Sequence, residues 1–164
     1  MNNSITVDWG GNQVKLTWIP SDQLPDEALV TSVHGYCFHQ NKVLLVHVEG
    51  RGFNIPGGHV EEVDETPEHT LHREAYEEGY VKGNVQYLGM IEVNNEDNPL
   101  YDPDGKYPFI GYQLFYRMDI TECHPFLREN ECTSRIWVEP SEIPYIMNDH
   151  ELSLLVLEEA MKKV

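Results

Sequence analysis

The sequence predicts an α+β domain, in which β-strands form most of the framework and a few helices pack against them. Seven short runs rich in β-branched and aromatic residues are typical of strands: 5–9, 13–19, 29–39, 42–48, 84–94, 109–120 and 134–139. Two segments have the features of helices, one at residues 67–79 and one near the C-terminus. A chain of 164 residues is long enough to bury a hydrophobic core among these elements.

The first two strand-like runs predict a β-hairpin, because they flank the turn sequence Gly10-Gly11-Asn12. Pro20, Pro25 and several polar residues follow, which is typical of a linker. We therefore expect residues 1–26 to form an N-terminal β-hairpin and linker, and residues 27–164 to form the main domain. We expect the hairpin to cover an exposed edge of the sheet. Packing on a second subunit is the alternative.

The charge of the chain restricts its ligands, because 28 Asp and Glu residues outnumber 11 Lys and Arg residues and give a net charge of −17. This field repels polyanions, so we expect no nucleic acid polymer as a partner. A small phosphorylated substrate is compatible with it if a divalent cation neutralises the site. No apolar run approaches the roughly 18 residues of a membrane span. We expect a soluble, cytoplasmic monomer or homodimer that binds no membrane.

The helix at residues 67–79 has recognisable start and stop signals. Thr66 can cap its N-terminus through the side-chain hydroxyl, and Pro67 suits the first helical position. Gly79 can adopt the left-handed conformation that ends a helix. These signals predict a helix of about three and a half turns.

Three carboxylates lie on one face of this helix, since Glu74, Glu77 and Glu78 are related by i, i+3 and i+4. Like charges on one face repel each other, so stability alone does not favour this grouping. Carboxylate oxygens are the ligands that Mg²⁺ or Mn²⁺ prefers. On spacing alone, a solvated acidic face is the alternative. Zinc is disfavoured because no His-Glu-x-x-His motif is formed by the nearby histidines, which are His59, His69 and His72.

Residues 56–81 resemble the Nudix box, the signature of hydrolases that act on a nucleoside diphosphate linked to another group. The family pattern is Gly, five residues, Glu, seven residues, Arg-Glu, an apolar residue, any residue, Glu-Glu, any residue, Gly and an apolar residue. Glu65, Arg73, the three glutamates and Val81 are in register with it. Two positions depart from it. Six residues separate Gly58 from Glu65, and Tyr80 stands where the family has glycine.

The resemblance implies a Nudix fold, a mixed β-sheet sandwiched between helices, with Mg²⁺ or Mn²⁺ as cofactor. It implies that Glu74, Glu77 and Glu78 bind metal and take part in catalysis, with Arg73 holding a neighbouring acid in position. The further expected contacts are metal binding by Gly58 and by Glu131 or, second, Glu129; substrate binding by Arg51, Gly57 and Tyr101; and orientation of the loop or helix by Glu65.

The expected reaction is hydrolysis of a pyrophosphate bond in a small nucleotide, either a nucleoside triphosphate or an ADP-ribose-like compound. The alternative is a catalytically weak Nudix-fold module that binds nucleotides or regulates another process. The altered loop and displaced glycine favour the alternative. The intact glutamate trio favours the enzyme, because a binding module has no need of all three carboxylates.

Overall fold

The computed structural model describes residues 2–163 and confirms the α+β prediction. A nine-stranded sheet contains β1 (Ser4–Trp9), β2 (Asn12–Pro20), β3 (Val30–His39), β4 (Lys42–Val48), β5 (Gly52–Asn54), β6 (Gly57–His59), β7 (Val81–Asn94), β8 (Ile110–Cys123) and β9 (Cys132–Val138). The α-helices are α1 (Pro67–Gly79), α2 (Ile143–Ile146) and α3 (Leu152–Met161). Short 3-10 turns at Glu27–Leu29 and Pro140–Glu142 precede β3 and α2. Within residues 2–163, every helix is too short or too polar to cross a bilayer.

The sheet is mixed, and it divides along β3. Its main path runs β1-β2-β7-β8-β3-β4-β5, while β6 pairs with β3 and β9 pairs with β4. Strands β3 and β8 are parallel, whereas the other pairs are antiparallel. The last two residues of β3, Phe38 and His39, pair with β4, whereas its earlier residues 32–34 pair with β6. Strand β6 therefore lies at the fork, where its backbone is close to helix α1.

Helices cover both faces of the sheet. Because side chains alternate along a strand, Val33 and Tyr36 of β3 point to opposite faces. Val33 packs in one cluster with Leu71 of α1, and Tyr36 packs in another with Leu152 of α3. All four side chains are fully buried. This three-layer arrangement is the one that the family resemblance implies.

The N-terminal hairpin forms as predicted and extends the sheet. Strand β2 pairs with β7 from Lys15 opposite Asn94 to Pro20 opposite Gly89. Leu16 and Trp18 on β2 are buried in the same cluster as α3. The hairpin therefore covers the edge of β7 and also supplies part of the core, which stabilises its position relative to the rest of the sheet.

The end of α1 differs from the prediction. Gly79 is the last residue of the helix, and the left-handed residue is Tyr80, with φ 57° and ψ 39°. A Cβ at Gly79 would lie 2.6 Å from Leu44 Cδ2, so close packing is what requires glycine there. Tyr80 is buried, and its hydroxyl accepts a hydrogen bond from the Glu129 N–H at 3.0 Å. These interactions offset the roughly 1–2 kcal/mol that the left-handed conformation costs.

Candidate active site

Helix α1 begins as the sequence predicts and is fixed in rotation by its apolar face. Thr66 Oγ1 accepts a hydrogen bond from the His69 N–H at 3.1 Å, which caps the first turn. Leu71 and Ala75, four residues apart, are fully buried against the sheet. With these two side chains in the core, one acidic face of the helix lies against β6 and the other exposed positions face solvent.

Glu74 lies directly against the backbone of Gly58. A Cβ at Gly58 would be 2.5 Å from Glu74 Oε1, so glycine is required for this close approach. The Arg73 guanidinium donates a hydrogen bond from Nη1 to Glu74 Oε1 at 2.9 Å. Burial raises the pKa of Glu74, while the Arg73 charge opposes that rise. Glu74 is therefore a partly desolvated carboxylate that packs directly against the glycine backbone.

Glu78 lies one turn further along α1 and contacts the preceding glycine. Its Oε1 accepts a hydrogen bond from the Gly57 N–H at 2.8 Å, and Cys132 Sγ is 3.6 Å from its Oε2. Burial raises the pKa of Glu78 to about 7, although the Gly57 hydrogen bond favours the charged form. The negative charge of Glu74 adds to the rise. This carboxyl group is thus near its titration point at neutral pH when no cation is bound.

Glu77 lies on the same side of α1 but nearer to solvent. Its side chain is 45% exposed, and its Oε2 is 3.6 Å from Arg73 Nη1. We use the term carboxylate cluster for Glu74, Glu77 and Glu78 together with Gly57 and Gly58. Within this cluster the two half-buried carboxyl groups, Glu74 and Glu78, contact β6, and Glu77 is the most exposed of the three.

Arg73 pairs with Asp64, a residue that the sequence interpretation did not single out. Its Nε and Nη2 donate to Asp64 Oδ1 and Oδ2 at 2.9 and 2.8 Å. The Asp64 side chain is fully buried and also accepts hydrogen bonds from Thr70 Oγ1 and from the Glu61 N–H, both at 2.9 Å. The Arg73 guanidinium holds the pKa of Asp64 well below its usual range. This network positions Arg73, which in turn orients Glu74.

The Arg73–Asp64 pair changes the alignment of the box loop with the family pattern. Glu65, expected to orient the loop or helix, is exposed, and its backbone N–H lies 3.4 Å from His69 Nδ1. Counting from Gly58, five residues separate it from Asp64, which is the spacing that the family has before its glutamate. The additional residue therefore falls between Asp64 and Arg73, and the loop before the acid has the usual length. Counting from the glycine instead of from Arg73 would have identified Asp64.

Arg51 and Glu131 were expected to contact phosphate and metal, respectively. The structure pairs them with each other in a salt bridge, with side chains that are 70% and 58% exposed. The Glu131 charge contributes to the raised pKa of Glu78, so the pair lies near the carboxylate cluster. Glu129, the second candidate, donates its backbone N–H to Tyr80 and so holds the end of α1.

The residues of the carboxylate cluster fit a divalent cation by their chemistry and by the space at Gly58. Within residues 2–163, no three Asp, Glu, His or Cys side chains already converge on one point. Mg²⁺ keeps several of its waters and needs only one or two protein carboxylates. Glu74 and Glu78 satisfy that requirement, and they lie against the backbone of Gly58 and Gly57, respectively. Clustered carboxyl groups with raised pKa values are also stabilised by a cation.

A cavity of about 570 Å³ lies beside the N-terminal hairpin, and we call it the hairpin-side cavity. Its lining includes Trp9 from the hairpin, Tyr101 and Tyr107 from the loop between β7 and β8, Gln113 from β8, and His59. His59 directly follows Gly58 along the chain, so the cavity begins one residue from the carboxylate cluster. Tyr101, expected to contact substrate, is in this cavity. Sequence reasoning missed Trp9, Gln113 and His59 as lining residues.

The chain matches the family model of the NUDIX domain over residues 28–156. It belongs to the Nudix family. Its three-layer α+β architecture is the Nudix fold. Comparison with curated proteins gave no significant match. The hairpin at residues 4–20 lies outside the part of this Nudix chain that the family model covers.

Solved structures support the same fold. A mutant of the Bacillus subtilis pyrophosphohydrolase BsRppH has a TM-score of 0.70 with 21% sequence identity, covering 97% of each chain, so the likeness includes the hairpin. The NUDIX domain of Shewanella oneidensis NrtR, solved in complex with ADP ribose, has a TM-score of 0.60 and 20% identity, covering 85% of this Nudix chain and 93% of its own. A NUDIX hydrolase from Nitrosomonas europaea has a TM-score of 0.62 and 18% identity, with coverage of 82% and 90%.

Proposed function

We propose that this Nudix protein is a divalent-metal-dependent hydrolase that cleaves a pyrophosphate bond in a small nucleotide, either a nucleoside triphosphate or an ADP-ribose-like compound. The observation that carries the proposal is the contact of two desolvated glutamates, Glu74 and Glu78, with the adjacent glycines of β6. A stable helix has no reason to bury two carboxyl groups there, because each loses hydration. A cation-binding site that approaches a phosphate chain accounts for both features.

Mg²⁺ or Mn²⁺ would be held by Glu74, Glu78 and Glu77, with the Gly58 carbonyl and Glu131 as further candidate ligands. When bound, the ion would neutralise the phosphate charge and polarise the phosphorus–oxygen bond. The chain as a whole is strongly acidic, so its own residues provide little positive charge for a polyphosphate. This charge balance supports a metal-dependent reaction.

The protein groups around the cation would have separate roles. A carboxylate of the cluster would accept the proton of the attacking water. Arg73 is a positioning residue, since its guanidinium joins Asp64 to Glu74. The Gly57 N–H orients Glu78 and would be available to a phosphate oxygen if Glu78 turned to the metal. Arg51 would contact phosphate after separation from Glu131.

The test is hydrolysis of a panel of nucleoside triphosphates and ADP-ribose with Mg²⁺ and with Mn²⁺. We expect Glu78→Gln to lower kcat by about 100-fold or more, because it removes a metal-binding and proton-accepting carboxylate but keeps the side-chain shape. Glu62→Gln is the matched control, since Glu62 is an exposed acid of the box loop. It should retain the parent kcat.

Equal turnover by Glu78→Gln and Glu62→Gln would contradict the proposed mechanism. No turnover of any substrate by the parent protein, combined with nucleotide binding, would favour the nucleotide-binding or regulatory module instead. A metal titration followed by Mn²⁺ relaxation provides an independent readout. The parent and Glu62→Gln should bind Mn²⁺, and Glu78→Gln should bind it at least about tenfold more weakly.

A further inference from the structure

A second cavity, of about 300 Å³, lies between the C-terminal half of α1 and the loop that joins β8 to β9, and we call it the helix-end cavity. This volume is at the lower end of the roughly 300–1,000 Å³ typical of small-molecule sites. The lining combines aromatic, acidic and apolar side chains with one amide: Tyr76, Glu77, Tyr80, His124, Pro125, Leu127, Glu129 and Asn130. Of these residues, only Glu77 also belongs to the carboxylate cluster.

Hydrogen bonds hold both ends of the β8–β9 loop to the end of α1. The His124 N–H donates to the Tyr80 carbonyl at 2.8 Å, and the Glu129 N–H donates to the Tyr80 hydroxyl at 3.0 Å. Asn130 Nδ2 donates to the Glu77 carbonyl at 3.1 Å. The walls of the helix-end cavity are therefore already in place, so a ligand does not have to order them on binding.

The aromatic side of the helix-end cavity is centred on Tyr76. Its ring centroid lies 5.8 Å from that of Tyr80 and 5.5 Å from that of His124, yet Tyr76 stays 37% exposed. Lys82 Nζ lies 5.0 Å from the centroid of the Tyr76 ring, and Lys82 is not part of the cavity lining. The Tyr76 ring is thus already in contact with one cation outside the cavity. Aromatic rings attract cations to their faces, so this ring suits a positively charged ligand.

The acidic side of the helix-end cavity has two carboxylates, and the lining contains no lysine or arginine. The Glu77 side chain is 45% exposed, and Glu129 is exposed as well. In the described part of the chain, the Glu129 carboxylate has no hydrogen-bond or ion-pair partner. This charge repels a phosphate or a carboxylate and favours a cation. Pro125 and Leu127 add apolar surface, which favours a cation that carries alkyl groups.

We propose that the helix-end cavity binds an alkylammonium cation, with a quaternary ammonium of the choline type as the best match. The alkyl groups would contact the Tyr76 ring and Leu127, and the charge would face Glu77 and Glu129. Aromatic rings combined with carboxylates recognise this class of ligand, because the rings attract the charge and contact the methyl groups. Since Glu77 also belongs to the carboxylate cluster, the bound ligand would compete with a divalent cation for this side chain. Only this competition rests on the proposed function.

The test titrates ¹⁵N-labelled full-length protein without divalent metal. The ligands are choline, its uncharged isostere in which carbon replaces nitrogen, and ammonium, all at equal ionic strength. We expect choline to shift the amide signals of Tyr76 and Leu127 to saturation, and the other two to bind at least about fivefold more weakly. Tyr76→Leu should weaken choline binding about fivefold, because it removes the aromatic face. Glu129→Gln should weaken it about threefold, because it removes one exposed carboxylate.

Tyr145→Leu and Glu62→Gln are the matched controls, since both residues are exposed and lie outside the cavity lining. Both controls should bind choline as the parent does. Equal affinity for choline and its uncharged isostere would overturn the inference. Unchanged choline affinity in both Tyr76→Leu and Glu129→Gln would overturn it as well.

A second titration measures Mn²⁺ relaxation with and without choline at constant ionic strength. Choline should weaken Mn²⁺ binding about threefold, and its isostere should not, because coupling between two sites is reciprocal. An Mn²⁺ affinity that saturating choline leaves unchanged would overturn the placement of the ligand at Glu77. The first titration contains no metal and no substrate, so it fails independently of the proposed function. Choline binding without Mn²⁺ binding would reject only the proposed function, and metal-dependent hydrolysis without choline binding would reject only the cation site.

Discussion

The carboxylate cluster and the hairpin-side cavity are assembled in different ways. The carboxylate cluster comes from two short segments, β6 and α1, which are separated by one loop. The lining of the hairpin-side cavity extends from Trp9 to Gln113 and depends on the pairing of β2 with β7. The comparison indicates that the carboxylates we propose to be catalytic are encoded locally, whereas the residues that line the hairpin-side cavity are brought together only by folding.

This difference predicts that the two regions can be altered separately. A change in the carboxylate cluster should lower kcat or metal binding, while a change in the hairpin-side cavity, which contains the expected substrate contact Tyr101, should raise KM. The following five predictions test that separation, beginning with the largest expected effect.

Loss of the acid that holds Arg73 should have the largest effect on stability. Asp64→Ala leaves Arg73 without its buried partner, so we expect the free energy of unfolding to fall by roughly 2–4 kcal/mol. Glu65→Ala, at an exposed neighbour, should change it by less than about 0.5 kcal/mol. Urea denaturation of both variants measures the difference.

The Arg73–Asp64 ion pair should also make the stability of the protein depend on pH, in a direction set by the lowered pKa of Asp64. The pKa of Asp64 is lowered in the folded state from its ordinary 3.8. Its stabilising contribution is therefore present above that pH and is lost as the pH falls through the folded-state pKa. If Asp64→Ala and the parent lost stability equally over the acid range, the ion pair would not be responsible.

Glu78 should make the metal-free protein less stable at higher pH. Its pKa is raised from 4.5 to about 7 in the folded state, so the folded state binds the proton more tightly and stability falls as the pH rises through this window. The Tm of the parent should drop by several degrees relative to Glu78→Gln between pH 5 and pH 8. Mg²⁺ at pH 8 should restore the Tm of the parent and not that of the variant. A pH-independent Tm difference would argue against desolvation of Glu78.

The contact between the hairpin and the loop that line the hairpin-side cavity should affect KM more than kcat. Asn98→Ala removes the hydrogen bond that joins the loop to Asn12 of the hairpin and a second one, to Asn95, within the loop. We expect KM for the nucleotide substrate to rise up to about tenfold, consistent with roughly 1 kcal/mol for each lost contact, with kcat within about twofold. Steady-state kinetics with one nucleotide substrate measures both KM and kcat. A fall in kcat at constant KM would show that the two regions are not separable.

The surface pair between Arg51 and Glu131 should contribute least to stability. Both side chains are largely exposed, so Glu131→Gln should change the free energy of unfolding by less than about 0.5 kcal/mol. If Glu131 also contacts metal, the variant should bind Mn²⁺ more weakly than Glu129→Gln does. Equal Mn²⁺ affinity of the two variants would remove Glu131 from the ligand set.

Several site features could be predicted from sequence because they depend on residues within one helical turn. Thr66 caps α1 and Pro67 begins it, as predicted, and the spacing of the glutamates determines that they share a face. The end of the same helix could not be predicted, since Gly79 is required by contact with Leu44, a residue 35 positions earlier. The unusual Tyr80 conformation is likewise stabilised by the distant Glu129.

The sequence by itself determined the fold class, the family and the grouping of three carboxylates, because strand periodicity, helix capping and helical spacing are properties of neighbouring residues. Tertiary structure decided which acid pairs with Arg73, which residue ends α1 and which amide faces the cavity. Asp64 and Glu65 are both acidic residues, so the sequence alone does not distinguish their roles. Only the burial of Asp64 against Thr70 and Arg73 distinguishes them. Gln113 is one polar residue of a strand until β8 pairs with β7 and β3 and Gln113 becomes part of the cavity lining. Long-range packing sets such roles, because burial and hydrogen-bond partners exist only once the chain has folded.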